Sequence, residues 1–374
     1  MRVLVDYRPA LRQRTGVGEY VHELVRALVA PGGPARQHAV SLFTASWKDR
    51  PAPDLGPTVA PATVIDCRVP GRLLRWGWHR LSWPPAEWLA GPADVVHSAS
   101  PLAMPSRAAA SVLTIHDLHF VRHPERMSAE MRRDFPRLVR PHAERAAAIV
   151  VSSRYTAADV MATLGVPAAR VHVCPAGAPP WAEGVRQART ERRPGHLLFL
   201  GTLEPRKNIG TLLDAYARLR ARDAAAPRLV LAGQVTPAAA EWVRRASEAP
   251  LAGHVEVAGY VDDETRRRLL IGAHLVVLPS LDEGFGLPVL EAMACAVPVV
   301  ISSGGSLPEI AGDAAAPVDP QDVEGLADRM AALLDPGEAR RAAARGLARA
   351  AGFRWEDTAR LVWAAYEAAA GGRP

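Results

Sequence analysis

Cysteine and lysine are both scarce in this chain of 374 residues. The three cysteines, Cys67, Cys174 and Cys295, lie far apart and lack the spacing of a metal site or a disulfide framework. We therefore interpret each of them as a small buried hydrophobic residue. Lys48 and Lys207 are the two lysines, so arginine carries almost all of the basic charge.

Long apolar runs are missing as well. No run approaches the ~20 residues that a membrane-spanning helix needs, and residues 1–6 predict a strand rather than a secretory signal. Hydrophobic residues nevertheless make up 49% of the chain, so a large core can form. The length suits two domains of ordinary size. Together these features favour a cytoplasmic enzyme.

The charge is distributed unevenly along the chain. Residues 1–180 hold 22 basic and 14 acidic residues, whereas residues 181–374 hold 23 and 25. A basic first half suits anionic lipid head groups or an acidic acceptor. It would also suit nucleic acid, but the sequence has no helix-turn-helix, zinc-finger or RNP-type motif. We therefore predict no nucleic-acid partner.

Short apolar runs alternate with helical patterns through both halves of the chain. This alternation predicts two Rossmann-like, doubly wound α/β domains, over residues 1–180 and 195–354. The segment 176–194 is rich in glycine, proline and charge, and we interpret it as the linker. A helical stretch over 127–147 contains two prolines, Pro136 and Pro141, which we expect to kink or split it.

Tryptophan is concentrated in one segment, Trp76–Trp88, which holds four of the nine tryptophans, and the stretch 71–88 around it also contains three arginines. Tryptophan together with arginine suits an anionic membrane surface, where the protein would bind peripherally. A helix that packs its aromatic face on the core is an alternative, and an acceptor-binding surface is a third. The sequence leaves these three interpretations open.

Polar residues follow several predicted strands of the first half. His97, His116 and His119 come after two of them, at the strand ends where open α/β sheets bind ligands. No close carboxylate pair completes a metal site, so we predict none. A loop with Gly16 and Gly18 follows the first strand, but it is too long and too poor in glycine for a dinucleotide fingerprint.

The most informative stretch lies at residues 282–294. An apolar strand precedes it, Gly284 and Gly286 permit close backbone approach to a ligand, and a helix is predicted from Leu287. A helix N-terminus after such a turn is a ready anion site, suited to phosphate. Two carboxylates, Glu283 and Glu291, flank the turn and can accept hydrogen bonds from sugar hydroxyls.

A second turn, residues 201–208, carries Arg206 and Lys207 just before a predicted helix. Two cations there oppose the helix dipole, which favours an anion bound between them. The turn therefore also predicts a phosphate site.

Both motifs resemble those of a known family. Glu283 and Glu291, with seven residues between them and the surroundings Glu-Gly-Phe-Gly-Leu-Pro and Glu-Ala-Met-Ala, resemble the E-x7-E signature of retaining GT-B glycosyltransferases of family 4. The string Gly-Thr-Leu-Glu-Pro-Arg-Lys-Asn resembles bacterial mannosyltransferases of this type. The resemblance covers nearly the whole chain. It departs at Thr202, where many members carry a phosphate-binding arginine.

The resemblance implies the GT-B fold, with two Rossmann-like domains facing each other across a cleft. The final helix, within residues 355–374, would cross back to the acceptor-binding N-terminal domain. The implied activity is transfer of a hexose, by analogy mannose from GDP-mannose, with retention of configuration. The acceptor would be lipid-linked, a polysaccharide or a small molecule. No metal or other cofactor is required if Lys207 and the helix dipole supply the positive charge.

The resemblance also implies roles for individual residues. Lys207, with Arg206, would hold the donor diphosphate, Glu283 the sugar hydroxyls and Glu291 the ribose. His116 would lie beside the donor sugar as a positioning group, and Asp117 would orient it. The remaining donor-binding candidates are backbone or base contacts: Gly16, Gly18, Tyr260, Val261, Gly284, Phe285, Gly286 and Leu287.

Other classes fit two Rossmann-like domains too. A sugar-nucleotide epimerase and a non-catalytic nucleotide-sugar-binding protein both remain alternatives. An NAD-linked oxidoreductase is disfavoured, because no tight G-x-G-x-x-G turn follows a strand.

Overall fold

The computed structural model describes residues 1–11, 16–47, 49–126, 129–190 and 195–372. These form two compact units. Unit 1 comprises Met1–Gly177 and Arg354–Pro374, and unit 2 comprises Ala178–Phe353. Each unit holds one parallel sheet flanked by helices, so the predicted α/β class is confirmed.

The sheet of unit 1 has seven parallel strands in the order β3-β2-β1-β4-β5-β6-β7. Its strands are β1 (Arg2–Asp6), β2 (Ala39–Ala45), β3 (Thr63–Cys67), β4 (Val95–Ser98), β5 (Ala110–Ile115), β6 (Ala148–Val151) and β7 (Val171–Val173). The central strands are rich in valine, leucine and isoleucine and buried throughout, as expected where helices cover both faces. Sequence patterns did not predict the edge strand β3, whose residues are only half-buried.

The helices of unit 1 are α1 (Val17–Val29), α2 (Leu55–Thr58), α3 (Gly71–Leu81), α4 (Ala86–Ala90), α5 (His119–Arg122), α6 (Ala129–Arg145), α7 (Arg154–Leu164) and, from the end of the chain, α16 (Trp355–Gly371). Pro136 and Pro141 do not split α6, because both lie inside one continuous helix. Val139 and Ala143 of α6 are buried in the core, and this packing offsets the lost backbone donors.

The last helix, α16, packs on α1 and on the central strands of unit 1. The Thr358 hydroxyl donates to the Pro175 carbonyl. Tyr366 Oη lies 2.6 Å from His97 Nδ1. At the crossing, a Cβ on Gly177 would lie 2.4 Å from the Trp355 nitrogen, so only glycine fits there. The predicted return of the final helix to the first half of the chain is confirmed.

The sheet of unit 2 has five parallel strands in the order β10-β9-β8-β11-β12. They are β8 (His196–Leu200), β9 (Arg228–Ala232), β10 (Val255–Gly259), β11 (Ala273–Leu278) and β12 (Val299–Ile301). The order of strands reverses between β8 and β11. In open α/β sheets, the crevice at the carboxyl ends of two such strands is where ligands bind.

The helices of unit 2 are α8 (Ala182–Thr190), α9 (Ile209–Arg222), α10 (Ala240–Ala246), α11 (Asp263–Gly272), α12 (Leu287–Ala294), α13 (Leu307–Ala311), α14 (Val323–Ala332) and α15 (Pro336–Ala350). The segment 176–194, interpreted as the linker, contains the boundary between the two units and also holds the helix α8. Arg189 of α8 donates to the carbonyls of Leu270 and Ala273, which docks α8 on the end of α11. This contact between distant segments leaves no local pattern in the sequence.

No helix in the described part of the chain is both long enough and apolar enough to cross a lipid bilayer.

Candidate functional site

The carboxyl ends of β8 and β11 bring two predicted site residues together in unit 2. A short helical turn, Pro205–Lys207, follows β8, and a turn that ends at Glu283 follows β11. Because β8 pairs with β11, these turns are neighbours. Lys207 Nζ donates to Glu283 Oε1, and the two residues are only 6% and 5% exposed. The sequence singled out both residues but did not predict that they pair with each other.

The Glu283 carboxylate has three donors. Besides Lys207, the Ser280 hydroxyl donates to Oε1 at 2.8 Å and Arg206 Nη1 donates to Oε2 at 3.0 Å. Arg206 is held in turn by Glu204, whose Oε1 accepts from Nε at 2.6 Å. We call Glu204, Arg206, Lys207, Ser280 and Glu283 the ion cluster. Both oxygens of its central carboxylate are occupied by donors.

The cluster changes the acidity of its members. Burial by itself would raise the pKa of Glu283, but Lys207 and Arg206 outweigh burial and lower this pKa to about 2. Burial, with a further contribution from Arg206, lowers the pKa of Lys207, and Glu283 opposes this shift. Glu283 is therefore an ionised hydrogen-bond acceptor throughout the physiological pH range.

The turn after β12 packs against the backbone of Glu283 and donates a hydrogen bond to it. Gly305 has a φ of +62°, and a Cβ there would lie 2.3 Å from the Glu283 carbonyl oxygen. Ser306 N donates to the same oxygen at 2.9 Å. The Ser306 hydroxyl is buried and has no hydrogen-bond partner among the described residues. Sequence reasoning missed Ser280 as a site residue, although its place just beyond the end of β11 was a usable signal.

The helix α12 begins at Leu287, four residues after Glu283. Gly286 precedes the helix with a φ of +93°, and a Cβ there would lie 2.7 Å from a Leu307 methyl carbon. The first turn, which begins at Leu287, has neither a side-chain cap nor an acidic residue, so the positive end of the helix dipole is uncompensated. Gly284 and Phe285 are buried, and the Phe285 ring packs edge-on against Phe353.

Glu291 lies in a separate ion pair. Arg266 Nη1 of α11 donates to Glu291 Oε1 at 3.0 Å, and the Arg266 guanidinium stacks on Trp181 at 5.1 Å from the ring centre. Burial raises the pKa of Glu291, with Arg266 opposing and Asp263 adding to the rise. Among the described residues no hydrogen bond connects Glu291 to the ion cluster.

Tyr260 and Val261, the candidates for the nucleotide base, follow the edge strand β10, two strands away from β8. Tyr260 is 48% exposed and Val261 is half-buried. Both are accessible, and neither contacts the ion cluster in the structure.

His116 directly follows β5 in unit 1. Its ring lies edge-on against Tyr20 at 5.1 Å, and burial lowers its pKa to about 4, with Asp117 opposing the shift. Its Nε2 atom is buried without a hydrogen-bond partner among the residues that the structure describes. The Asp117 carboxylate accepts from the His119 amide at 3.1 Å. Asp117 therefore influences His116 through its charge, without a hydrogen bond between the two side chains.

His97 differs from His116 because both of its ring nitrogens have partners. Nδ1 lies 2.6 Å from Tyr366 Oη and Nε2 lies 2.7 Å from Thr114 Oγ1. This buried network ties β4 and β5 to α16, so His97 is structural. In the described ranges no group of three or more His, Cys, Asp or Glu side chains could hold a metal ion.

Gly16 lies at the start of α1. It has a φ of +50°, and a Cβ there would have no neighbour within 4 Å, so the position borders open space. Gly18 is buried in the first turn of the helix. Part of the predicted glycine loop, residues 12–15, lies outside the described residues.

The tryptophan-rich segment divides between two environments. Trp78 is buried in the core, where the Arg8 guanidinium stacks on its ring at 4.6 Å. Leu74 of α3 is buried beside it. Five other large apolar side chains of α3, α4 and the turn between them are more than half exposed: Leu73, Trp76, Leu81, Trp83 and Trp88. The core interpretation therefore holds for Trp78 alone.

Two family models match the chain, and each covers one unit. The model described as glycosyl transferase 4-like domain matches residues 15–177, and the model described as glycosyl transferases group 1 matches residues 185–347.

Curated relatives and solved structures resemble the chain over its whole length. O-antigen chain mannosyltransferase B of Escherichia coli is 31% identical across 98% of this chain and 100% of that protein. Sucrose-phosphate synthase from Thermosynechococcus elongatus superposes with a TM-score of 0.76 at 22% identity, over 98% of both chains. Anabaena HepE, solved with UDP and glucose, superposes with a TM-score of 0.69 at 18% identity, over 97% of this chain and 98% of HepE. The chain therefore belongs to the glycosyltransferases of GT-B fold, with a glycosyl transferase 4-like first unit and a glycosyl transferases group 1 second unit.

Proposed function

We propose that this glycosyltransferase moves a mannosyl group from GDP-mannose to its acceptor with retention of the anomeric configuration. The observation that carries the proposal is the ion cluster at the switch point of unit 2, where a buried carboxylate is held by Lys207 and Arg206. The choice of mannose follows from the similarity to the E. coli O-antigen chain mannosyltransferase. The nucleotide sugar as donor is supported by the UDP and glucose bound to HepE.

The donor diphosphate needs positive charge around it. Lys207, Arg206 and the uncapped start of α12 offer this charge within one turn of Glu283. As the bond to the sugar breaks, negative charge grows on the leaving phosphate, and fixed cations stabilise it without reorganisation. These groups supply the charge that a divalent metal supplies elsewhere, so the proposed reaction needs no metal.

Glu283 is proposed to accept hydrogen bonds from the sugar hydroxyls. A pKa of about 2 suits this role and makes the carboxylate a poor general acid or base at neutral pH. Three donors on its oxygens also make it a poor nucleophile. We therefore favour attack by the acceptor on the same face that the phosphate leaves. The acceptor oxygen bonds to the anomeric carbon, the bond from that carbon to the phosphate oxygen breaks, and the acceptor proton passes to the phosphate.

The other roles rest on the family resemblance. Glu291 would bind the ribose hydroxyls and exchange part of its contact with Arg266 for them, and Tyr260 with Val261 would border the base. In unit 1, His116 would donate or accept a hydrogen bond to the sugar through its unpartnered Nε2. Gly16, with Gly18 behind it, would let the backbone approach the ligand.

A nucleotide-release screen tests this function. Purified enzyme is incubated with GDP-mannose, UDP-glucose and UDP-N-acetylglucosamine, and released nucleotide is measured for the wild type, Glu283→Gln and the exposed control Glu264→Gln. We expect release from GDP-mannose, a loss of about 10²–10³-fold in Glu283→Gln, and no change in the control. Binding of a nucleotide sugar without any turnover would favour a non-catalytic binding protein instead.

We further propose that the exposed Trp76, Trp83 and Trp88 bind an anionic membrane surface peripherally. Their indoles suit the depth of lipid head groups. Arg107 stacks on Trp88 at 5.7 Å, so a cation accompanies this aromatic surface. The basic excess of the first half of the chain has the sign that anionic lipid attracts.

Co-sedimentation with phosphatidylglycerol vesicles measures this binding. We expect Trp76→Ala/Trp83→Ala to reduce the bound fraction about fivefold or more, because two interfacial anchors are lost. Leu361→Ala, which changes an exposed leucine of α16, serves as the control. Equal sedimentation of all three proteins would exclude this surface.

A further inference from the structure

Arg266 and Glu291 form a buried ion pair between two helices of unit 2. Arg266 lies on α11 and Glu291 on α12, and their side chains are only 13% and 8% exposed. Nη1 of Arg266 donates to Oε1 of Glu291 at 3.0 Å. Arg266 is the first of three consecutive arginines, residues 266–268. No sequence motif described above contains it, so its role has to be inferred from its contacts.

The ion pair leaves one oxygen of the Glu291 carboxylate available. Arg266 bonds to Oε1, whereas Oε2 accepts no hydrogen bond from any residue that the structure describes. An ionised carboxylate has about four acceptor sites on its two oxygens, so it can take further donors. Neighbouring hydroxyls, such as those of a ribose, can donate to one carboxylate together. Glu291 therefore keeps acceptor capacity for a ligand while its charge is balanced by Arg266.

Arg266 also favours the ionised form of Glu291. Burial raises the pKa of Glu291, Arg266 is the cation that opposes this rise, and Asp263 adds to it. Without Arg266, burial and Asp263 would both favour the protonated carboxyl. A protonated carboxyl carries a donor and has lost acceptor capacity. Arg266 thus preserves Glu291 as a hydrogen-bond acceptor.

The Arg266 guanidinium is held from two further sides. It lies over the indole of Trp181, 5.1 Å from the ring centre, and Nη2 lies 3.1 Å from Asp263 Oδ1, one turn earlier on α11. Stacking on a ring and several directed polar contacts restrict the rotation of an arginine side chain. If a ligand takes over part of the contact with Glu291, Asp263 still balances the guanidinium charge. Arg266 is therefore a fixed cation.

Helix α8 holds the two helices that carry the pair. Arg186 Nη1 donates to the Ala294 carbonyl at the end of α12 at 2.7 Å. Arg189 Nη1 donates to the Leu270 carbonyl near the end of α11 at 2.6 Å. Trp181, which stacks on the guanidinium of the pair, directly precedes α8. These contacts fix α11 and α12 relative to each other, and with them the geometry of the ion pair.

We propose that Arg266 is a positioning residue for the nucleotide part of the donor. Its ion pair with Glu291 holds that carboxylate in the orientation in which Oε2 accepts hydrogen bonds from the 2′- and 3′-hydroxyls of the ribose. Arg266 acts through Glu291 and takes no part in the chemical step. This inference rests on the proposed ribose role of Glu291, and it makes the site selective for ribonucleotides over 2′-deoxyribonucleotides, which offer one hydroxyl fewer.

Calorimetric titration tests the proposal with GDP against 2′-deoxy-GDP and with UDP against 2′-deoxy-UDP, so the result does not depend on the base. We expect the wild type to prefer the ribonucleotide about tenfold, as for one hydrogen bond to a charged acceptor. Arg266→Met should lower this preference to about threefold or less, whereas Arg266→Lys, which keeps a cation beside Glu291, should retain most of it. Arg266→Gln, which removes the charge and keeps a donor, serves if the methionine variant does not fold.

Arg267→Met is the matched control. Arg267 follows Arg266 on the same helix, is exposed, and also stacks on Trp181, at 5.3 Å from the ring centre. It forms no ion pair with Glu291 among the described residues. This variant should keep the wild-type preference for the ribonucleotide.

Turnover separates positioning of the ribose from a general loss of structure. Arg266→Met should raise the KM for the nucleotide sugar about tenfold and leave kcat within about twofold, because a contact to the ribose is the same in the ground state and the transition state. A merely structural role would lower the active fraction, and with it the apparent kcat, without changing the ratio of the two affinities.

The outcomes distinguish this inference from the proposed function. A ribonucleotide preference that survives in Arg266→Met, or that falls equally in Arg267→Met, would overturn the inference alone. Equal affinity of the wild type for the ribo and deoxy forms would remove the ribose role of Glu291 and the inference with it, while nucleotide release would still report transferase activity. A wild type that neither binds nor turns over any nucleotide sugar would contradict the proposed function together with the inference.

Discussion

The carboxyl edges of the two sheets hold their charged residues in contrasting ways. In unit 2, Lys207 and Arg206 form ion pairs with the buried carboxylate of Glu283, and the Lys207 and Glu283 side chains are nearly closed to solvent. In unit 1, Arg8, Arg72 and Arg75 line an open cavity of about 660 Å³ at the carboxyl edge of the sheet, and Arg8 pairs with the buried Asp6. The same fold position is thus a compact, pre-assembled ionic site in one unit and an accessible basic pocket in the other.

This difference indicates how the two sites would work. A buried pair is held in one geometry, which suits the chemical step, where charge must meet fixed partners. An open pocket that is lined by several arginines suits the recognition of a ligand with negative charge. Four measurements test this contrast between the two units.

Removal of Lys207 should have the largest effect. We expect Lys207→Met to reduce turnover about 10²–10³-fold, because one fixed cation at the leaving phosphate is lost. Steady-state nucleotide release, corrected for the folded fraction, measures this. Arg222→Gln, which removes an exposed arginine of unit 2, is the control. Turnover of Lys207→Met within twofold of the control would make the ion cluster a purely structural feature.

Acid should weaken unit 2 through Glu283. The folded-state pKa is about 2, well below the usual 4.5, so the stabilisation is complete above pH 4.5 and is lost as the pH falls towards 2. The shift corresponds to about 3 kcal/mol of folding free energy. Urea unfolding from pH 6 to pH 2.5 should therefore show a steeper loss of stability for the wild type than for Glu283→Gln. Parallel curves for the two proteins would contradict the assigned pKa.

The buried and exposed ion pairs should differ in coupling energy. We expect the cycle of Lys207→Met, Glu283→Gln and the double variant to give a coupling of about 2 kcal/mol, since each single change leaves a buried charge without its partner. Arg2–Asp94 in unit 1 is an exposed pair with side chains 51% and 38% accessible, and its cycle should give a much smaller coupling because solvent screens the two charges. Equal coupling in both cycles would remove the distinction between the two sites.

Substitution of the two histidines at the sheet edge of unit 1 should affect different quantities: turnover for His116 and stability for His97. His116→Phe should reduce turnover about tenfold through one lost hydrogen bond to the ligand. His97→Phe should instead cost about 2 kcal/mol of stability, because Tyr366 and Thr114 lose their partner, with turnover per folded molecule unchanged. Thermal unfolding and turnover, measured for both variants, check this. A loss of stability in His116→Phe together with a loss of turnover in His97→Phe would contradict both assigned roles.

Much of unit 2 could be predicted from sequence because its signals are local. Glu283, the glycines before α12 and Lys207 stand in short motifs, and the strand–turn–helix pattern already points to an anion site. The ion pair between Lys207 and Glu283 could not be predicted, since it depends on β8 and β11 being neighbours across 76 residues of chain.

Unit 1 was less predictable for the same physical reason. The cavity joins Asp6, Trp47 and Arg72, which come from three separate segments and share no motif. The two environments of the tryptophan-rich segment could not be predicted either. Trp78 packs into the core, whereas Trp76, two residues earlier, faces solvent. Pattern alone indicated an unusual segment without saying which residues turn which way.

The most direct test of the account compares the affinities of GDP and GDP-mannose for the wild type and for Glu283→Gln, measured by calorimetry. If Glu283 binds the sugar while Lys207 and Arg206 bind the diphosphate, the variant should bind GDP as tightly as the wild type or more tightly. In the same variant, the ratio of the affinity for GDP-mannose to that for GDP should be about tenfold smaller than in the wild type, as expected for lost hydrogen bonds to a charged acceptor. An unchanged ratio of the two affinities would contradict the proposed donor site.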